Sequence, residues 1–227
     1  MLLAADTSRK LASEALGTAL LLATIAGSGI MGERLAGGNV AIALLANALA
    51  TGAALVALIL TFGPISGAHF NPAVTLANAA LGDLTWREVP GYVVAQVAGA
   101  FGGVAAAHVM FEQRAIFFAS QRVRSGGSQL FSELVATFGL FAVTWGCSRR
   151  RPSAVPFAVG AYIMAAYWFT ASTSFANPAV TLARSASDTF AGIRLVDVPG
   201  FVVAQALGAA AATMTFRWLV PASKEAR

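Results

Sequence analysis

The amino-acid sequence predicts an all-α membrane protein in which six transmembrane helices and two re-entrant half-helices form an inverted repeat. Three observations predict it. The 227 residues are 57% hydrophobic and only 11% charged, with mean hydropathy +0.71, whereas ordinary soluble domains carry about 25% charged residues. The heptad Asn-Pro-Ala-Val-Thr-Leu-Ala occurs twice, at 71–77 and at 177–183. A second internal match, Val89–Ala100 with Val198–Ala209, is identical at nine of twelve positions.

Taken in order, a polar lead over residues 1–9 precedes span one, about 10–32, which contains Glu14. This apolar run is too long for a signal-peptide core and lacks a cleavage site, so it reads as a retained helix. Span two runs over about 40–62. The stretch Phe62-Gly63-Pro64-Ile65-Ser66-Gly67 is expected to break it, because glycine and proline stop helices. The first Asn-Pro-Ala copy follows, with an apolar stretch to Leu81 and a turn at Gly82. Span three covers about 90–112, with Pro90 in a first turn that needs no N–H. A polar loop, 113–128, leads to span four, about 129–147, which contains Glu133. Span five is expected over about 154–172. The second Asn-Pro-Ala copy and a loop follow, then span six over about 198–220. The whole chain, 1–227, reads as one membrane channel domain, with repeat one at about 10–112 and repeat two at about 129–220.

Each half holds three full spans, an odd number, so the second half enters the bilayer from the opposite face. Such inverted repeats place a solute site near the midplane. Arg9 and Lys10 before span one, and Arg149 to Arg151 between spans four and five, fall on one side. The excess of basic residues makes that side cytoplasmic, together with both termini, in a multi-pass protein of the cell's inner (plasma) membrane. Arg34, Arg114, Arg122 and Arg124 fall in the outer loops.

The net charge of +5 accompanies no basic face or reader motif, so no nucleic-acid partner is expected. Cys147 is the single cysteine, which excludes an intramolecular disulfide. No His/Cys cluster has metal spacing, so neither metal nor cofactor is expected. No nucleophile–base pair suggests an enzyme.

Asn71 to Leu81 would span about 15 Å as a helix, half of a bilayer core about 30 Å thick. Asn71 and Asn177 suit the N-cap, and Pro72-Ala73 and Pro178-Ala179 suit the first turn. Two such half-helices entering from opposite faces bring their positive ends to one spot. Each asparagine then offers an amide donor to the oxygen of a passing molecule. Irregular backbone at that depth requires protein or a water-filled cavity beside it.

Ser66 to Thr75, Asn177-Pro178-Ala179, Glu14, Glu133, Gln96 and Gln205 together resemble the aquaporin (major intrinsic protein) family. The resemblance covers nearly the whole chain. It implies six spans plus two half-helices, one pore per protomer and a homotetramer in the lipid bilayer. Exclusion of protons and cations by the half-helix ends is an established property of that family rather than a deduction from these residues. By resemblance, Glu14 and Glu133 bind backbone groups of the re-entrant loops, and His69 braces a loop lining the inner pore.

One departure bears on the substrate. Family members usually carry arginine directly after the second Asn-Pro-Ala, where this chain has Val180. Counting from the two asparagines, the other filter positions are Thr51, Ala165 and Ser174. Four small uncharged side chains imply a wide opening, since pore diameter and lining groups set selectivity. Arg184, two turns along the half-helix, is expected near the outer mouth; whether it replaces the missing charge stays open. A valine at this position resembles a bacterial branch of aquaglyceroporin-like channels found with arsenic-resistance genes. That implies arsenite or methylated arsenicals, with glycerol, urea, boric acid and water as further solutes. Two alternatives are a water-selective pore and a proton-coupled carrier using Glu14 and Glu133.

Overall fold

The computed structural model describes residues 6–219, and among them every regular element is helical. The helices are α1 (Thr7–Leu35), α2 (Val40–Ser66), α3 (Pro72–Leu81), α4 (Val89–Met110), α5 (Gly127–Arg150), α6 (Val155–Phe169), α7 (Pro178–Arg184) and α8 (Val198–Leu219). Short 3-10 turns, Pro152–Ala154 and Leu195–Asp197, lead into α6 and α8. The polar tail expected from Pro221 onward lies outside the described residues.

Two boundaries differ from the sequence expectation. Helix α2 runs through Gly63-Pro64 and ends only at Gly67, whose φ of 89° is left-handed. Proline removes one N–H and crowds the carbonyl four residues back. The helix nevertheless carries Pro64 in its last turn, and the left-handed glycine is the stop. Helix α6 has 15 residues rather than the expected nineteen-residue span. It rises about 22 Å, and residues 170–176 complete that layer as an irregular loop. Among the described residues five helices are long and apolar enough to cross a bilayer, and α6 is a shorter sixth.

The two halves repeat one arrangement: α1 packs along α4 and α2, and α5 packs along α8 and α6. The repeat-related Gly99 and Gly208 permit matching close approaches in the two halves. A Cβ at Gly99 would lie 2.2 Å from the Ala15 carbonyl oxygen, and one at Gly208 would lie 2.4 Å from that of Leu134. In lipid, where tails are as apolar as leucine, such small-residue contacts drive helix association. Leu16, Leu49, Val94, Phe131 and Phe157 lie exposed on the outside, a surface suited to lipid.

The half-helices cross between halves. Ala73 and Ala77 of α3 pack with Ala136, Leu140 and Phe141 of α5 and with Val159 and Ile163 of α6. Ala179, Val180 and Ala183 of α7 pack with Leu21, Leu22 and Ile25 of α1 and with Ala100 and Val104 of α4. Each half therefore holds the other's half-helix, and the two helix starts meet inside the protein.

Candidate functional site

The loops that deliver the chain to α3 and α7 share an unusual backbone. Gly67, Ala68 and Phe70 have positive φ before Asn71, and Thr173, Ser174 and Ala176 have positive φ before Asn177. A left-handed residue with a side chain costs about 1–2 kcal/mol, so both loops need bracing. Two buried carboxylates supply it. Glu14 accepts from the backbone N–H of His69 (2.9 Å) and Phe70 (2.7 Å), the Ser66 hydroxyl (2.6 Å) and the Gln96 amide (2.8 Å). Glu133 accepts from the backbone N–H of Phe175 (2.8 Å) and Ala176 (2.9 Å) and the Gln205 amide (2.7 Å). Gln96 and Gln205 also donate to Thr75 and Thr181, both at 2.9 Å. Both glutamates are fully buried.

Held this way, the asparagines cross. Each side-chain oxygen caps its own half-helix, Asn71 accepting from the Ala73 N–H and Asn177 from those of Ala179 and Val180. Each side-chain nitrogen donates to the other loop: Asn71 Nδ2 to the Ala176 carbonyl (2.8 Å), and Asn177 Nδ2 to the Phe70 carbonyl (2.7 Å). An amide NH₂ carries two hydrogens. Both residues line a cavity of about 270 Å³, and each has one hydrogen left for it.

Thr51, Ser174 and Val180 line this cavity, as do His69 and Val74. His69 Nδ1 lies 3.1 Å from the Thr75 hydroxyl, and the ring packs 5.3 Å from that of Tyr92. Pro72, Ala73 and Ala179 are buried first-turn residues. Pro178 opens α7 as expected.

Ala165 is not in the lining; it is exposed on the outer face of α6. The cavity takes Val155, Val159, Ile163 and Tyr167 from that helix instead. Residues four apart share a helix face, and two residues is about 200° of rotation. Tyr167 therefore stands where offset counting put Ala165, and its hydroxyl lies 3.3 Å from that of Thr51.

Arg184 is buried rather than open at the surface. It is 2% exposed and lines the cavity. Its Nε donates to the Ala191 carbonyl, and its Cζ sits 3.4 Å from the Phe175 ring centroid. Arg124, from the loop between α4 and α5, approaches the same ring at 4.9 Å. It donates to the carbonyls of Gly192 (2.8 Å) and Ser172 (3.0 Å) and fastens the second loop. Burial pulls the Arg124 guanidinium down to about 10, which leaves it charged at neutral pH. Loop composition gave no signal for Arg124. The four-residue spacing Val155-Val159-Ile163-Tyr167 was a usable signal for Tyr167.

Comparison with known proteins accords with this geometry. The family model for the major intrinsic proteins matches residues 1–171. Aquaglyceroporin AqpS of Rhizobium meliloti (strain 1021) is 55% identical over 215 residues, which are 95% of this chain and 91% of that protein. Probable aquaporin NIP7-1 of Arabidopsis thaliana is 29% identical over 209 residues, 90% of this chain and 74% of that protein. The solved aquaglyceroporin from Plasmodium falciparum superposes with a TM-score of 0.73 at 19% identity, covering 95% of this chain and 98% of that one, a likeness of fold. With the membrane-spanning helices and the crossed half-helices, these matches place the chain in the major intrinsic protein family of membrane channels.

Proposed function

We propose that the protein is a passive channel that passes small uncharged hydroxylated solutes, with water, through the cavity at the crossed half-helices. The lining of that cavity is the observation that carries the reading. Leu21, Ile25, Leu55 and Ile59 share it with the amides of Asn71 and Asn177 and the hydroxyls of Thr51 and Ser174. A solute with an apolar skeleton and several hydroxyls can lose its water there and keep hydrogen bonds on one flank. The similarity to an aquaglyceroporin supports the same class. Glycerol and urea fit, as does arsenous acid, which is the neutral trihydroxide near pH 7; methylated arsenicals and boric acid are of similar size. On this reading Thr51, Tyr167, Ser174 and Val180 form the filter, at the outer end. The protein sits in the inner (plasma) membrane as a homotetramer, with both termini cytoplasmic.

A proton-coupled carrier suits the geometry less well. The four donors on Glu14 occupy the lone pairs that a transported proton would need. The test is shrinkage and reswelling of proteoliposomes in glycerol, urea and arsenite. Solutes should enter without saturation and without response to a pH gradient, and Val180→Arg should narrow entry towards water. Wild-type vesicles that admit water and exclude every solute would establish the water-selective alternative.

A further inference from the structure

Arg184 stands seven residues past Asn177, as Asn78 stands seven residues past Asn71. Both line the cavity, so this register faces the conduit in both halves. Side chains on an α-helix lean toward its N-terminus. The long Arg184 side chain therefore reaches back toward the turn carrying Val180, four residues earlier on the same face. The Phe175 ring and the Ala191 carbonyl hold the guanidinium in place. Among the described residues no carboxylate lies within ion-pair distance of it. Its Nη1 is buried and has no hydrogen-bond partner there. A buried charged donor is costly to leave empty, so something that enters the cavity is its natural partner.

We infer that Arg184 is a specificity-determining residue: it donates to one oxygen of each hydroxylated solute at the level of Val180, and its charge bars cations. The filter is then cationic although Val180 is apolar. This rests on the pore reading above. A lysine would keep the charge and lose the planar fork that fixes the direction of the donors.

The test measures glycerol and water permeability and potassium leak in the same proteoliposomes. Arg184→Leu should raise the leak at least about tenfold and change the glycerol-to-water ratio at least about fivefold. Arg184→Lys should keep the cation barrier and shift the ratio. If Arg184→Leu does not reconstitute, Arg184→Gln, uncharged but still a donor, should raise the leak with the ratio nearly held. A permeable wild type whose Arg184→Leu or Arg184→Gln variant matches it within about twofold in both quantities overturns this inference alone. A wild type impermeable to solutes and water overturns the pore reading, and this inference with it.

Discussion

Asn71 and Asn177 cap identical heptads, cross to each other's loop and lie beside glutamates that are each held by a glutamine. Around them the two halves diverge. His69 precedes the first asparagine by two residues, where Phe175 precedes the second; Asn78 follows the first by seven, where Arg184 follows the second. Asn78 turns its amide back to the Val74 carbonyl at 2.9 Å, while the buried Nη1 of Arg184 has no hydrogen-bond partner among the described residues. The first loop is braced by Ser66 and by Glu14 of α1. The second is braced likewise by Ser172 and Glu133, but Arg124 donates to the Ser172 carbonyl where the Tyr92 hydroxyl donates to that of Ser66. Duplication supplied one scaffold twice, and divergence put a buried guanidinium on the second half-helix where the first carries an amide.

The comparison breaks first at the carboxylates. Glu14→Leu strands four donors and Glu133→Leu strands three. Each orphaned buried donor costs about 1–3 kcal/mol, so both variants should lose roughly 4 kcal/mol or more, with Glu14→Leu the worse. Thermal unfolding in detergent reads this; small losses in both would remove the bracing role, and equal large losses would remove the difference between the halves. A smaller effect separates the two faces of α6. Tyr167→Ala should raise glycerol flux several-fold by opening the cavity, while Ala165→Leu, on the exposed face, should leave flux within about twofold of wild type. Reversal of that order would restore Ala165 to the lining.

The smallest effect concerns the Arg124 tie. The Asp197 carboxylate accepts from the Arg124 N–H and from Arg194. The hydrogen bonds from Arg194 hold its carboxyl below the ordinary aspartate value. A depressed folded pKa contributes stability above the ordinary value, which is lost as pH falls through the folded one. Asp197→Asn should therefore cost less than about 1 kcal/mol at neutral pH, and the difference should vanish in strong acid. A difference that grows with acidity would contradict this ion-pair account.

The residues legible in the sequence were those repeated in it. The asparagines, the glutamates and the glutamines recur at matching places in both halves, and the structure puts each pair to one use. Ala165 was misplaced because counting from Asn177 passes through a loop and a helix end, where a small error of register turns a side chain away from the cavity. The burial of Arg184 was not legible because the Ala191 carbonyl and the Phe175 ring that hold its guanidinium come from loops on either side of α7. Tyr167 carried a spacing signal in α6; Arg124 carried none, since its contacts are with Ser172 and Gly192, far along the chain.

By itself the sequence determined the number and kind of segments, their duplication and the pair of half-helices. Hydropathy, proline and repeated motifs act locally, and a bilayer accepts few ways of hiding backbone polar groups. Only the tertiary structure decided which side chains share the conduit. That depends on how each helix is rotated, on the direction in which a long side chain leans, and on two strained loops held by carboxylates from another helix.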